Sequence, residues 1–352
     1  MPRIAAILTL LLAAIPLTAQ QASNQQFGEK VDVNLVLVDA IVTDATGQQI
    51  LGLDKDDFIV TENGEPQKIE AVDYFTNRHL LNAREGSVPF KAERVREGRY
   101  FVFFFDKPDQ GQMFDRLRLA REAALKFVDE EMQPGDQVAV VSHDMRLKIF
   151  SDFTNDKQRL HKALDDVMYF GVGLKKPAAA EPQSIFGAIN AKAMISKTGT
   201  VYEGLNVLAD ALRPIKARKN LILFSPGIHE PGEDYREGIL LDRSRYYDPM
   251  IHALNAANVT VYSMNLHENA PELPLYHQTL QLIASDTNGE YFRHNVSFAS
   301  RVKHIEQVNN GYYLISYYTQ RDKGAKGYQK VAVTLKNPEF KVKAREGYVY
   351  GE

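Results

Sequence analysis

The run FVFFF at 101–105, followed at once by Asp106 and Lys107, constrains the fold of this chain more than any other stretch. A strand with one wet face alternates polar with apolar residues, whereas a run that is apolar throughout needs cover on both faces, as in a parallel sheet wrapped by helices. The following sequence supplies that cover. In MFDRLRLAREAALKFVDEEM, Phe114, Leu117, Ala120, Ala124, Phe127 and Val128 recur at helical spacing, and a second apolar strand, QVAVVSH, comes after PGD. RLKIFSDF then reads as an edge strand, and a helix is expected near 156–168 with Leu160, Leu164 and Val167 inward. Helices expected at 200–213, 244–257 and 275–287 lead into NLILFSPG, VTVYSMN and GEYFRH. The alternation predicts an α/β fold with a doubly wound, mostly parallel sheet. Asp106 would stand at the carboxyl end of a buried strand, the edge where open α/β sheets bind ligands.

Both flanks read as β. VDVNLVLVDAIVTDATGQQ is rich in β-branched residues, and DFIVTENGEPQKIEAVDYF places Asn63 and Gly64 between two extended runs, a strong hairpin signal. From 311 onward YYLISYY, YQKVAVTLKN and FKVKAREGYVY read as strands. Neither flank can close a core alone. Residues 28–97, ending in a charged linker from 76, and residues 310–352 are therefore expected to pair into one β-sandwich-like domain, with 98–309 inserted between them. In YYLISYY, Tyr313, Ile315 and Tyr317 share one face and Tyr312, Leu314, Ser316 and Tyr318 the other. Burial of one face explains much of this aromatic density, and an aromatic second face would suit a protein partner.

Composition bounds the function. The chain has 352 residues, 44% of them hydrophobic, enough for a substantial core. Its formal net charge of −3, without a long run of one sign, offers no field to grip nucleic acid. Residues 1–20 read as a signal peptide: MPR is the positive start, IAAILTLLLAAIPL a 14-residue apolar stretch, and TAQ a small-residue cleavage region. That stretch is short of the roughly 20 residues a bilayer span needs, so the expectation is a secreted or periplasmic protein with no stable membrane span. With no cysteine, disulfides and thiolate metal sites are excluded.

The order of RYFVFFFD, GDQVAVVS, TGTVYEGLNVLADAL, KNLILFSPG, NVTVYSMN and ASDTNGEYF resembles a von Willebrand factor type A domain, and the flanks resemble those of a secreted bacterial family carrying one. The resemblance implies a metal-dependent adhesion site at the carboxyl edge, in which Asp-x-Ser-x-Ser, a threonine and a later aspartate present magnesium to an acidic group of the partner. Asp106 matches the first aspartate, while Pro108 and Gln110 hold the serine positions. Thr200 matches the threonine, and Pro226 replaces the second aspartate, with Ser225 beside it. Asp106, Gln110 and Thr200 are thus the candidate ligands of a degenerate magnesium or manganese site; otherwise no cofactor is implied. The competing reading has Asp106 capping its turn or pairing with Lys107.

Histidines give a second reading. His143, His229 with Glu230, and His267 with Glu268 all follow apolar strands, so they would project from one edge, where imidazole and carboxylate could hold zinc for a metallohydrolase. Solvated loop histidines are the plainer account, because no His-x-x-x-His or His-Glu-x-x-His pair occurs. Nucleotide-binding and nucleophile-elbow motifs are missing as well. The reading favoured by the sequence is a non-catalytic exported module for adhesion or envelope assembly. Its protein partner is expected on the carboxyl-edge loops, through Lys175, Lys176, His143, His229 and His267.

Overall fold

The computed structural model describes residues 31–76, 92–94, 98–107, 113–169, 184–189, 191–215, 217–228, 245–267, 274–293, 297–322 and 325–350. The leader expected over 1–20, Gln110, Lys175, Lys176 and His229 lie outside these residues.

The chain begins with β1 (Val31–Thr43), β2 (Phe58–Glu62), β3 (Glu65–Gln67), β4 (Ile69–Thr76) and β5 (Ala92–Arg94). Asn63 and Gly64 turn β2 into β3 with φ of 50° and 89°, the left-handed pair that a tight hairpin requires. The short strand β5 falls inside the stretch expected to be linker and pairs parallel with the end of β4. Next come β6 (Tyr100–Asp106), α1 (Phe114–Lys126) with a π-turn over Phe127–Glu131, β7 (Gln137–Asp144), β8 (Arg146–Thr154), α2 (Lys157–Asp166), α3 (Ile185–Ala188), α4 (Ala191–Ser196) and α5 (Val201–Leu212). They are followed by β9 (Lys219–Ser225), α6 (Tyr247–Ala256), β10 (Val259–Asn265), α7 (Pro274–Asp286), β11 (Tyr291–Phe292) and α8 (Phe298–Val308). The chain closes with β12 (Gly311–Asp322), β13 (Gly327–Leu335), β14 (Lys341–Ala344) and β15 (Gly347–Tyr350).

The central sheet runs β8-β7-β6-β9-β10-β11, parallel except for the antiparallel edge strand β8. This is a doubly wound order, and the direction of winding reverses between β6 and β9. Every residue of β6 is buried. Phe101, Phe103 and Phe105 pack with Leu117 of α1, Leu160 of α2 and Val302 of α8, while Val102 and Phe104 pack with Leu205 of α5, Met250 of α6 and Leu280 of α7. Two-sided cover of this kind is what the unbroken apolar run demands, at roughly 2–3 kcal/mol of transfer free energy per phenylalanine.

The flanking segments share sheets. β1 pairs antiparallel with β12 from Val31↔Asp322 to Ala40↔Tyr313, within a five-stranded sheet ordered β14-β1-β12-β4-β5. A four-stranded sheet, β15-β13-β2-β3, faces it across a common core that includes Val38, Phe58, Ile315 and Val331. In that core Glu62 accepts hydrogen bonds from Tyr317 Oη at 2.7 Å, Tyr348 Oη at 2.8 Å and Thr319 Oγ1 at 3.0 Å. Tyr313, Ile315 and Tyr317 are buried, whereas Tyr318 on the opposite face is 53% exposed. FKVKAREGYVY, expected as one strand, is divided instead between β14 and β15, which lie in different sheets.

Candidate functional site

At the point where the winding reverses, the carboxyl ends of β6 and β9 hold Asp106 and Ser225 side by side. Ser225 Oγ donates to Asp106 Oδ2 at 2.6 Å and accepts from the Gly227 amide at 3.0 Å. Gly227 sits at φ 129°, a conformation that suits glycine. Asp106 is buried, and desolvation raises its carboxyl pKa to about 7 against the opposing Ser225 hydrogen bond.

Lys107 does not pair with Asp106. Successive residues of an extended chain point to opposite faces, so the lysine runs to the α2 side of the sheet. Its Nζ reaches Asp144 Oδ2 at 2.8 Å and donates to the carbonyls of Val167 at 3.0 Å and Tyr169 at 2.9 Å. Asp144 also pairs with Lys148. Burial lowers the Lys107 pKa, and the Asp144 carboxylate opposes that shift. The ammonium thereby ties the end of β6 to β7 and to the C-terminal end of α2.

Thr200 is the N-cap of α5. Its Oγ1 accepts from the Glu203 amide at 3.1 Å, and the Glu203 carboxylate accepts from the Thr200 amide at 3.0 Å, a reciprocal capping box. A magnesium ion needs oxygen ligands that turn toward one point at about 2.0 to 2.1 Å. The described oxygens do not fit it: Asp106 Oδ2 accepts from Ser225, Thr200 is bonded to its own helix, and Pro226 supplies no side-chain oxygen. Among the described residues, no group of three or more His, Cys, Asp or Glu is arranged to hold a metal.

The histidines are set apart. His143 lies within β7 and is buried rather than solvated; its Nε2 donates to the Thr198 carbonyl at 3.0 Å, and burial lowers its pKa. A Cβ on Gly204 would come within 3.1 Å of the His143 ring, so glycine lets α5 approach that strand closely. His267 follows β10, is partly buried, and takes the Asn265 Oδ1 on its amide at 2.8 Å. Burial lowers the His267 pKa, opposed by the Pro226 carbonyl. Between β7 and β10 lie β6 and β9. Three inter-strand steps of about 4.8 Å separate the two histidines by roughly 14 Å of backbone, too far for one zinc ion with donors at about 2 Å.

What the sequence did not disclose is that four hydrophobic residues on elements reaching this edge are exposed. Met145, 73% exposed, forms the turn from β7 to β8, and Tyr169, 63% exposed, offers its carbonyl to Lys107. Ile195, 69% exposed, precedes by three residues the Thr198 that bonds His143, and Phe114, 47% exposed, opens the helix after β6. The hydrophobic letters were readable. Their exposure was not, because helical spacing alone assigns Phe114 inward.

No family model matches the chain, and no curated protein matches it. Solved structures do. The von Willebrand factor domain of the type V pili tip protein Mfa5 from Porphyromonas gingivalis is 15% identical, with 61% of this chain and 95% of that chain covered and a TM-score of 0.41. An aerotolerance-related membrane protein from Bacteroides fragilis, carrying multiple mutations to serines, is 14% identical over 60% of this chain and 99% of that one, with a TM-score of 0.40. The ArnB paralog VWA2 from Sulfolobus acidocaldarius is 10% identical over 91% and 75%, with a TM-score of 0.38. These likenesses assign no residue role, and the fold stated above rests on the strand order itself.

Proposed function

We propose that the chain is a non-catalytic, exported protein-binding module for adhesion or envelope assembly, docking its partner on the carboxyl edge of the central sheet. The observation that carries this reading is that four exposed hydrophobic residues, Phe114, Met145, Tyr169 and Ile195, lie on elements reaching this edge, whose polar groups Asp106 and Lys107 are internally paired. Isolated exposed hydrophobes are ordinary, but several gathered at one edge of a rigid scaffold mark an interaction surface. Methionine adapts its shape and tyrosine contributes area at low entropy cost, which suits both to recognition. Lys175, Lys176 and His229 are proposed to contribute to the same surface, and residues 1–20, read as a signal peptide, support an exported module. No helix among the described residues is long and apolar enough to cross a membrane.

The test is capture from a cell-envelope extract by immobilised full chain, followed by titration of the captured partner. Combining Met145→Glu with Tyr169→Ser should weaken that affinity about tenfold or more, the loss of one or two well-buried anchors. Unchanged affinity in a folded double variant moves the docking surface elsewhere.

A further inference from the structure

Strand β1 is 13 residues long, and its two sides are not equally paired. β12 runs along one side from Val31 to Ala40, whereas β14 takes the other side only from Ala40 to Thr43. Among the described residues, no strand pairs with Val31–Asp39 on that second side. Arg345, which follows β14, donates to the Leu37 carbonyl there. Backbone groups of an extended chain alternate in direction from residue to residue, so the amides and carbonyls of Val31, Val33 and Leu35 point the same way as the Leu37 carbonyl, into the open side.

The outermost strands elsewhere are guarded. β3, β5, β11, β14 and β15 are two to four residues long, β8 carries Arg146 and Lys148 with an irregular register against β7, and the part of β4 beyond β5 carries Glu70 and Asp73. Short strands, charges and bulges are the usual defences against pairing with another chain. The segment VDVNLVL has no proline and no basic residue. Its outer face is apolar as well: Leu35 is 53% and Leu37 43% exposed, and Tyr318, opposite Leu35 in the register, is 53% exposed. The inserted α/β part reaches this face at Asp39, whose Oδ2 accepts from Asn258 Nδ2 at 2.7 Å, and the two leucines lie beyond it. An apolar row beside an open backbone margin suits an added strand, which bonds the outward amides and carbonyls and lies beside the leucines.

We propose that the occupant is a second copy of this chain, joined β1 to β1 antiparallel about a two-fold axis, so that the two five-stranded sheets run on as one. The other copy brings the same outward amides and carbonyls on a strand that β12 already holds extended, so little ordering cost offsets the new bonds. Arg345 holds the Leu37 carbonyl, which centres the join on Val33: Val31 then faces Leu35 of the other copy and Asp32 faces Asn34, so no two carboxylates stand directly opposite. The join lies in the β-sandwich and is independent of docking at the carboxyl edge of the central sheet.

Sedimentation velocity of the full chain over a roughly hundredfold range of concentration tests it, since the population of a dimer follows mass action. A reversible dimer is expected. Val33→Pro removes an outward amide while sparing the ladder to β12, and should weaken the dimer about tenfold or more. Leu35→Lys places a charge at an exposed position of the margin and should weaken it likewise, and it decides the question if the proline variant does not fold. A chain that stays monomeric throughout overturns the proposal, as does a dimer whose affinity is unchanged in folded Leu35→Lys.

Discussion

Burial lifts the Asp106 carboxyl from an ordinary 3.8 to about 7, so the folded chain holds that proton more tightly than the unfolded chain does. With the folded value above the unfolded one, the stabilisation from protonated Asp106 is full below about pH 4 and is lost as pH rises to about 7. Asp106→Asn removes this titration and keeps a side-chain oxygen for the Ser225 hydroxyl. Urea unfolding across that window should show the variant gaining on the parent by up to about 4 kcal/mol as pH rises; parallel curves would show that Asp106 does not titrate there. At this scale the sequence was half legible. The apolar run located Asp106 at the strand end, but the partner of Lys107 was hidden. The strand's alternation turns Lys107 away from Asp106, and Asp144 comes from a neighbouring strand that only tertiary structure brings near.

Among the elements, the Lys107–Asp144 pair joins β6, β7 and α2, with side chains 1% and 6% exposed. Removing one partner of such a pair leaves a buried charge without compensation, typically costing 3–5 kcal/mol. Asp144→Ala, which strands both Lys107 and Lys148, should therefore destabilise by about 3 kcal/mol or more in chemical denaturation. Lys107→Met, which leaves Asp144 paired with Lys148, should cost less; equal costs would mean that the pair does not act as described. Most helices were visible because their apolar spacing is regular. The helix α8 was missed although Phe298, Val302 and Ile305 repeat at helical spacing behind the Ser297 cap. Apart from Glu306, which is buried against Arg99, the polar residues of α8 lie on a wetter face, and its apolar stripe gains meaning only against α1 and the central sheet.

For the whole molecule, the succession of β, alternating α/β and β segments was enough to expect one fold set within another, and the β1–β12 pairing is the physical form of that arrangement. What the order of letters could not convey is which hydrophobic residues remain outside once the layers close. The carboxyl edge is proposed to recognise a protein through these exposed apolar residues, with Asp106 satisfied by Ser225 instead of a metal. The most direct measurement is the affinity of the captured envelope partner in chelator and again in magnesium, for the parent chain and for Asp106→Ala. Affinity should be the same with and without the ion. Binding that requires magnesium and vanishes in Asp106→Ala would instead establish a working metal site at this edge and overturn metal-free docking.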